Sequence, residues 1–281
     1  MAAKVVVADL PPFTAATARF LLAAAVLWLF WLLWPNQRQQ VARGDWKWLA
    51  LAGFFQTSLY FALQYAGVAS TSASNATVIV NTRPIFAVLL AALFLRERLT
   101  WQKVLAIILG FLGVLVITSQ GSLNNLRWST AHTFGDLLIL LNALSGAIGL
   151  VLTKRVLRKY RPFPALVYTI SFGALGLLPF AGLEIYRQGG IPMAGWLPWT
   201  LLLYQALFCS LVAHILWNNV LARLEASQTA VFIYLSPVIG VLLSWLLLDE
   251  KISMTLVLGG AFVIAAAYLS TRVSAQTGRT H

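Results

Sequence analysis

Along this chain, apolar residues come in long blocks separated by short polar clusters, with little of the even mixing expected of a water-soluble surface. Blocks near Phe13–Trp34, Trp48–Ala66, Asn75–Leu95, Val104–Thr118, Gly135–Leu152, Ala165–Leu183, Leu197–Trp217, Gln228–Leu248 and Thr255–Ser270 approach the length that crosses a hydrocarbon core about 30 Å thick, roughly 20 apolar residues in a helix. They predict nine full spans. A shorter apolar piece, Ala2–Leu10, is closed by Pro11-Pro12 and counts as half a span.

Composition agrees. Of 281 residues, 60% are hydrophobic and 10% charged, and the mean hydropathy is +0.81. Soluble domains carry roughly a quarter charged residues, so lipid must be the solvent for most of this surface. The net charge of +12 would suggest a nucleic-acid partner if the basic residues formed one solvated patch. They sit instead in clusters between spans, and no nucleic-acid partner is expected. Cys209, the only cysteine, lies in an apolar run, which excludes a disulfide framework and a Cys/His metal site. No cofactor or metal is expected, and the start of the chain lacks the pattern of a cleavable signal peptide.

The charges also orient the spans. With the Asp9–Pro12 end of the half-span outside and the sides alternating, the inside receives Arg38, Arg43, Lys47, Arg96, Arg98, Lys103, Lys154, Arg155, Arg158, Lys159, Arg161, Arg223, Arg272 and Arg279. The outside receives Arg127, Arg187 and Lys251. Fourteen against three is a strong positive-inside bias and places the C-terminus in the cytoplasm. Trp28, Trp31, Trp34, Trp46, Trp48, Trp101, Trp196 and Trp199 mark span ends, as an interfacial aromatic belt would.

An internal repeat organises the blocks. Shifted by 153 residues, Leu63–Leu105 lies on Leu216–Leu258 without a gap, pairing Ala73 with Ala226, Ser74 with Ser227, Pro84 with Pro237 and Glu97 with Glu250. Five spans per repeat is an odd number, so the copies must insert in opposite senses. Arg96-Glu97-Arg98 is basic and inside, whereas Asp249-Glu250-Lys251 is net acidic and outside. At a shift of 152, Pro12 and Phe20 fall on Pro164 and Phe172, which leaves most of a first helix without a counterpart in this chain. The expected fold is all-α and integral to the membrane, with ten transmembrane helices, the first truncated here. They form two inverted five-helix repeats, residues 1–133 and 134–281.

Three stretches carry a resemblance: PPFTAATARFLLAA at Pro11–Ala24, ASNATVIVNTRPIFAVLLAALFLRERLTWQKVLAIILGFLGVLVI at Ala73–Ile117, and ASQTAVFIYLSPVIGVLLSWLLLDEKIS at Ala226–Ser253. The chain resembles the EamA-type ten-helix exporters of the drug/metabolite transporter superfamily, and within it the aromatic amino-acid exporters of bacterial inner membranes. That resemblance implies a proline in the fourth helix of each half with a Glu beyond it, and both are present. It implies a multi-pass inner-membrane carrier, with a small-molecule substrate and the bilayer as partners; a monomer is one assembly open to it, and the sequence leaves the oligomeric state open. It leaves the substrate class open, because relatives move amino acids, sugars, nucleobases, cofactors and drugs.

Polar groups in hydrocarbon are costly and usually face a bundle interior or a wet cavity. Gln56, Tyr60 and Gln64 form one helical stripe, and Ser210, His214, Trp217 and Asn218 form another on the repeat-related span. A shared central cavity and simple interhelical hydrogen bonding both fit. Thr77, Asn81 and Tyr234 precede the paired Pro84 and Pro237. Each proline removes a backbone donor, and interrupted helices at a repeat interface point to a binding site, or else to a packing kink. Arg83 suits a substrate carboxylate, although a bond to freed carbonyls serves equally. Arg19 and Lys4 lie nearer span ends, where they can snorkel. His214 offers proton coupling or a plain interior hydrogen bond. Asp136 and Glu184 sit only at span ends, which disfavours a carboxylate-driven antiporter. Glu97 and Glu250 precede Thr100 and Ser253, as caps of the following helices would.

No catalytic constellation such as HExxH or GxSxG is present, so an enzyme is not expected. The expected function is secondary transport by alternating access, exporting amino acids, aromatic or hydrophobic ones first. The two repeats would rock about a cavity lined by spans three, four, eight and nine, counting the half-span as the first. Tyr60, Trp217 and Tyr234 would meet the apolar part of the substrate, and Asn81, Gln64 or Arg83 its polar head. Alternatives are a multidrug or other metabolite permease (nucleobase, sugar, cofactor) of the same fold, or a channel-like membrane protein.

Overall fold

The computed structural model describes residue 6 and residues 9–119, 133–190, 195–248 and 254–277. Most of the Ala2–Leu10 half-span lies outside these residues, as do Lys4, Arg127, Glu250, Lys251, Ser253 and Arg279, so the expectations placed on them have no structural counterpart here.

The described residues contain helices and connecting turns, with no strand among them. The helices are α1 (Pro12–Leu33), α2 (Trp46–Gly53), α3 (Leu59–Val68), α4 (Ala73–Val80), α5 (Arg83–Leu95), α6 (Trp101–Ser119), α7 (Thr133–Leu157), α8 (Pro162–Gln188), α9 (Trp196–Tyr204), α10 (Ala213–Arg223), α11 (Ala226–Val231), α12 (Leu235–Leu248) and α13 (Met254–Thr277). Among the described residues, six helical stretches are long and apolar enough to cross a membrane: Pro12–Leu33, Ser74–Leu95, Trp101–Ser119, Thr133–Leu157, Pro162–Gln188 and Trp196–Arg223. Ala226–Gly240 and Met254–Ser270 are shorter apolar helices. Large apolar side chains lie bare on the outside, Leu93 at 72% and Leu32 at 64% exposure. Water would not tolerate so much uncovered hydrocarbon, and lipid does.

Four of the nine predicted spans are not continuous α-helices. A π-helical turn, Phe54–Ser58, joins α2 to α3, and another, Gln205–Val212, joins α9 to α10. A turn at Asn81–Thr82 separates α4 from α5, and a 3₁₀ turn, Phe232–Tyr234, separates α11 from α12. At the first of these breaks side chains replace the lost ladder. Asn81 donates its amide to the Thr77 carbonyl (2.7 Å), and the Thr82 hydroxyl donates to Ile79 (2.7 Å). Pro84, two residues on, sits in the first turn of α5, where its missing N–H costs nothing.

The chain divides into two compact units, Met1–Tyr65 with Ile148–Arg223, and Ala66–Ala147 with Leu224–His281. In the first unit, α1 packs along α8 over a core that includes Phe20, Leu27, Val167, Ile170 and Leu177. Glycines set the approach of α8 to the π turn: a Cβ on Gly173 would lie 2.5 Å from Thr57, and one on Gly176 2.3 Å from the Ser58 hydroxyl. Glu184, near the end of α8, accepts from the N–H groups of Phe13 (3.3 Å) and Thr14 (2.7 Å), covering the unpaired donors that open α1. On the predicted cytoplasmic side Asp45 binds Lys159 and the Tyr160 hydroxyl (2.6 Å). Trp28, Trp31 and Trp46 converge on Tyr168 with ring centroids 4.9–5.9 Å away. Trp34, Trp196 and Trp199 are exposed, as a belt requires.

The second unit is built on α6 against α13. Gly113 and Gly259 face each other so closely that a Cβ on either would come within 2.6 Å of the other's carbonyl oxygen. Small residues that admit close backbone approach are how helices associate where lipid supplies no hydrophobic drive. Val88, Ile107, Val114, Tyr234 and Val263 fill the core beside that contact. Lys103 is buried rather than solvated, bonded to the Arg98 carbonyl (2.9 Å) and paired with Glu225.

Candidate functional site

In the first unit one member of the first polar stripe, Gln56, meets two of the second, His214 and Asn218, beside a widened turn. A π turn rotates the side chains that follow it and leaves carbonyls loosely held, which is why such turns recur at functional positions. Gln56 sits in one of them. Gly149 brings α7 against it, since a Cβ there would lie 2.7 Å from the Gln56 Cβ. The Thr153 hydroxyl then donates to Gln56 Oε1 at 2.6 Å. Gln56, Thr153, His214 and Asn218, with Gly53, Thr57 and Thr169, line one small cavity between Leu166 and Ile170. It offers about 10 Å³ to the centre of a water molecule, the size of a single water. Asn218 is 1% exposed, and neither Nδ2 nor Oδ1 has a hydrogen-bond partner among the described residues. The His214 ring stands edge-on to Phe20 at 6.4 Å.

Ser210 belongs to a different place. Its hydroxyl accepts from Arg19 Nε at 2.5 Å. The Arg19 guanidinium lies over the rings of Phe20 (5.0 Å) and Phe61 (5.5 Å). Snorkelling toward a span end is therefore the wrong picture for Arg19, which turns inward on a partner supplied by the second π turn. Tyr60, Gln64 and Trp217 are half-buried and do not line the cavity that holds Gln56 and Asn218. Tyr60 packs edge-on to Phe61 at 5.2 Å.

In the second unit Thr77 and Asn81 are joined by the bond that closes the α4 break. Arg83, one residue beyond that break, lies against α7. A Cβ on Gly146 would come within 2.7 Å of its Nε. Tyr234 is fully buried, its ring over Gly110, and its hydroxyl has no hydrogen-bond partner among the described residues. Pro84 is buried and Pro237 half-buried. A cavity of about 750 Å³, lined by Val78, Ile79, Thr82, Phe111, Leu115, Thr133, Asp136, Leu137 and Leu140, contains none of the predicted site residues. Its lining is almost wholly apolar and suits acyl chains better than a polar solute.

The carboxylates at helix ends are engaged in structure. Asp136 binds the Thr71 hydroxyl and Asn75 Nδ2 (3.3 Å). Glu97 does not serve the helix that follows it. It accepts from the N–H groups of Ala226 and Ser227, and the Thr100 hydroxyl has no hydrogen-bond partner among the described residues. Among the described residues no three His, Cys, Asp or Glu side chains cluster as metal ligands would.

Apolar helices that expose hydrocarbon outward and enclose a buried amide, Asn218, without a hydrogen-bond partner among the described residues are those of a polytopic membrane protein. Comparison with known proteins agrees. The EamA-like transporter family matches residues 1–119 and 133–272, and the chain belongs to that family. A protein named "uncharacterized transporter" from Archaeoglobus fulgidus is 29% identical over 270 residues, covering 95% of this chain and 90% of its own. A "probable terminal-alkyne amino-acid exporter" from Streptantibioticus cattleyicolor is 27% identical, covering 80% of this chain and 72% of its own. A crystal structure with 18% identity superposes with a TM-score of 0.79 over 98% of this chain and 92% of that one, a likeness of fold. The protein is a multi-pass membrane transporter of small molecules, not an enzyme.

Proposed function

We propose that this protein is a secondary carrier that exports amino acids, aromatic or hydrophobic ones first, by alternating access. It would act as a monomer in a bacterial-type inner membrane, with its C-terminus in the cytoplasm. The observation that carries this reading is Asn218, a buried amide without a partner among the described residues, held with Gln56, Thr153 and His214 in a cavity too small for a solute. An orphaned amide is costly in a low-dielectric interior. It becomes useful if the cavity opens in another state and a polar solute completes its bonding.

The repeat supports two alternating states. Under the 153-residue shift, Phe54–Ser58 falls within Gln205–Val212, and Asn81 falls on Tyr234. The same local defects thus recur in both halves, and the family matches in two stretches. Two five-helix repeats, residues 1–133 and 134–281, inserted in opposite senses, would give one architecture two mirror-related openings. The amino-acid assignment leans on the name of the Streptantibioticus relative.

Purified protein in liposomes should take up radiolabelled phenylalanine or leucine saturably, and unlabelled amino acid on the far side should accelerate uptake. Repeating the assay with and without a proton gradient reads the coupling. Flux that never saturates and shows no counterflow would leave a channel, and the carrier would be wrong.

A further inference from the structure

We infer that Arg19 and Gln205 form a carboxylate-binding subsite in the first unit, occluded in this conformation. The inference rests on the carrier reading above and names the part of the substrate that the protein recognises.

Arg19 lies within α1, and its Nε is satisfied by Ser210. The two Nη groups, the side of the guanidinium that engages carboxylates as a fork, make no hydrogen bond among the described residues. No carboxylate among the described residues lies within ion-pair distance of Arg19; the ion pairs among those residues include Lys103–Glu225 and Lys159–Asp45. Arg19 is half-buried, and a cation within a membrane span usually has an anionic partner or marks a substrate path. Here aromatic faces hold it in place from Phe20 and Phe61.

Gln205 is the independent second observation. It opens the π turn Gln205–Val212, is 7% exposed, and its Nε2 has no hydrogen-bond partner among the described residues. Arg19, Gln205 and Tyr65 line one small cavity with Val6, Ala15, Ala16 and Leu202. Two kinds of donor therefore face a space to which the described residues bring no acceptor of full charge. Apart from the Tyr65 phenol, its remaining walls are hydrocarbon. A single cation, a neutral donor and apolar walls suit a monoanion with an organic body, a carboxylate, rather than phosphate, which calls for more charge. The cavity offers about 10 Å³ to the centre of a water molecule, so entry requires the Gln205 turn to move. Arg83, the guanidinium that opens α5, lies against Gly146 in the second unit.

The test is thermal unfolding of the full chain in detergent with phenylacetate, phenylacetamide or inorganic phosphate added. Phenylacetate should raise the midpoint, and the other two should not. Arg19→Gln should abolish the rise. Gln205→Leu should weaken the apparent Kd about tenfold, as loss of one charge-assisted hydrogen bond would. Gln205→Glu guards against misfolding of the arginine variant. It supplies the missing carboxylate within the chain, so this variant should be at least as stable as the parent and should no longer respond to phenylacetate. No stabilisation of the parent by phenylacetate, equal stabilisation by the amide or by phosphate, or a response that survives in Arg19→Gln or Gln205→Glu would each overturn the subsite. Phenylalanine uptake separates the two readings. Uptake unchanged in Arg19→Gln sinks the subsite alone, whereas phenylacetate binding at Arg19 without amino-acid uptake sinks the amino-acid assignment alone.

Discussion

Glu97 holds Ser227 by two hydrogen bonds, one from its backbone N–H (3.0 Å) and one from its hydroxyl (2.6 Å), across 130 residues of sequence. A third comes from the N–H of Ala226 at 2.8 Å. The geometry begins one residue earlier. Arg96 ends α5 in the left-handed region (φ 57°, ψ 33°), a turn that non-glycine residues seldom adopt. That turn leaves Glu97 free of the helix and able to serve the start of α11, where unpaired N–H groups and the helix dipole favour an anion.

Replacing Glu97 with Ala should destabilise the protein by about 2–4 kcal/mol, because three buried donors lose a charged acceptor together. Glu97→Gln, which keeps one oxygen, should lose roughly half as much. Thermal unfolding in detergent measures both, and uptake per folded molecule should hardly change. If Glu97→Ala unfolds at the parent's temperature, the distant cap contributes nothing.

The α6–α13 contact makes a second prediction. Gly113→Ala or Gly259→Ala puts a methyl group 2.6 Å from a carbonyl oxygen that cannot rotate away. The helices must separate, at a cost of about 1–3 kcal/mol. Gly260→Ala, whose new Cβ would be 3.8 Å from the nearest atom, Val238 Cγ1, is the control and should be nearly neutral. Equal midpoints for all three variants would mean that α6 and α13 do not meet at those glycines.

Much of this was legible in the residues. The apolar blocks announced the helices, and Pro84, Pro237 and the polar stripes pointed to the four spans that are interrupted. Partners distant in sequence were not legible. Depth along α1 made Arg19 look able to snorkel, because its actual partner, Ser210, lies 191 residues away on a π turn that no periodicity predicts. Thr100, three residues from Glu97, made a local cap look sufficient. Lys103 and Lys154 counted as loop charges. Both are buried, and Lys154 donates to the Leu221 carbonyl (2.7 Å) that ends α10. Span patterns report average burial, and these roles depend on single contacts between helices.

The loop pair on the predicted cytoplasmic side should show in the pH dependence. Hydrogen bonds from Lys159 and Tyr160 hold the Asp45 carboxyl below its ordinary 3.8, and Asp45 in turn raises the Lys159 amine above 10.5. A depressed acid stabilises the fold above its unfolded pKa, and that contribution disappears as pH falls through the folded value. A raised amine stabilises below its unfolded pKa and loses the effect as pH rises through the folded value. The difference in unfolding midpoint between the parent and Asp45→Ala should therefore be level across neutral pH and close only below pH 3.8 or above 10.5. It should also shrink near 1 M salt, where charges are screened within about 3 Å. A difference that changes between those limits would assign the tether to some other group.

Asn218 and Tyr234 separate structural glue from substrate contact. Glue predicts that truncation destabilises, because a satisfied hydrogen bond is lost. Both residues instead bury polar atoms without partners among the described residues. Asn218→Leu and Tyr234→Phe remove the buried groups while keeping much of the volume, so stability should hold or rise by about 1 kcal/mol. If those groups meet substrate in another state of the cycle, uptake in liposomes should fall about tenfold or more in the same variants. A loss of activity without a loss of stability is the signature of a site retained at a structural cost. The opposite pattern, lowered midpoints with unchanged uptake per folded molecule, would return both residues to helix packing and leave the proposed site without its central amide.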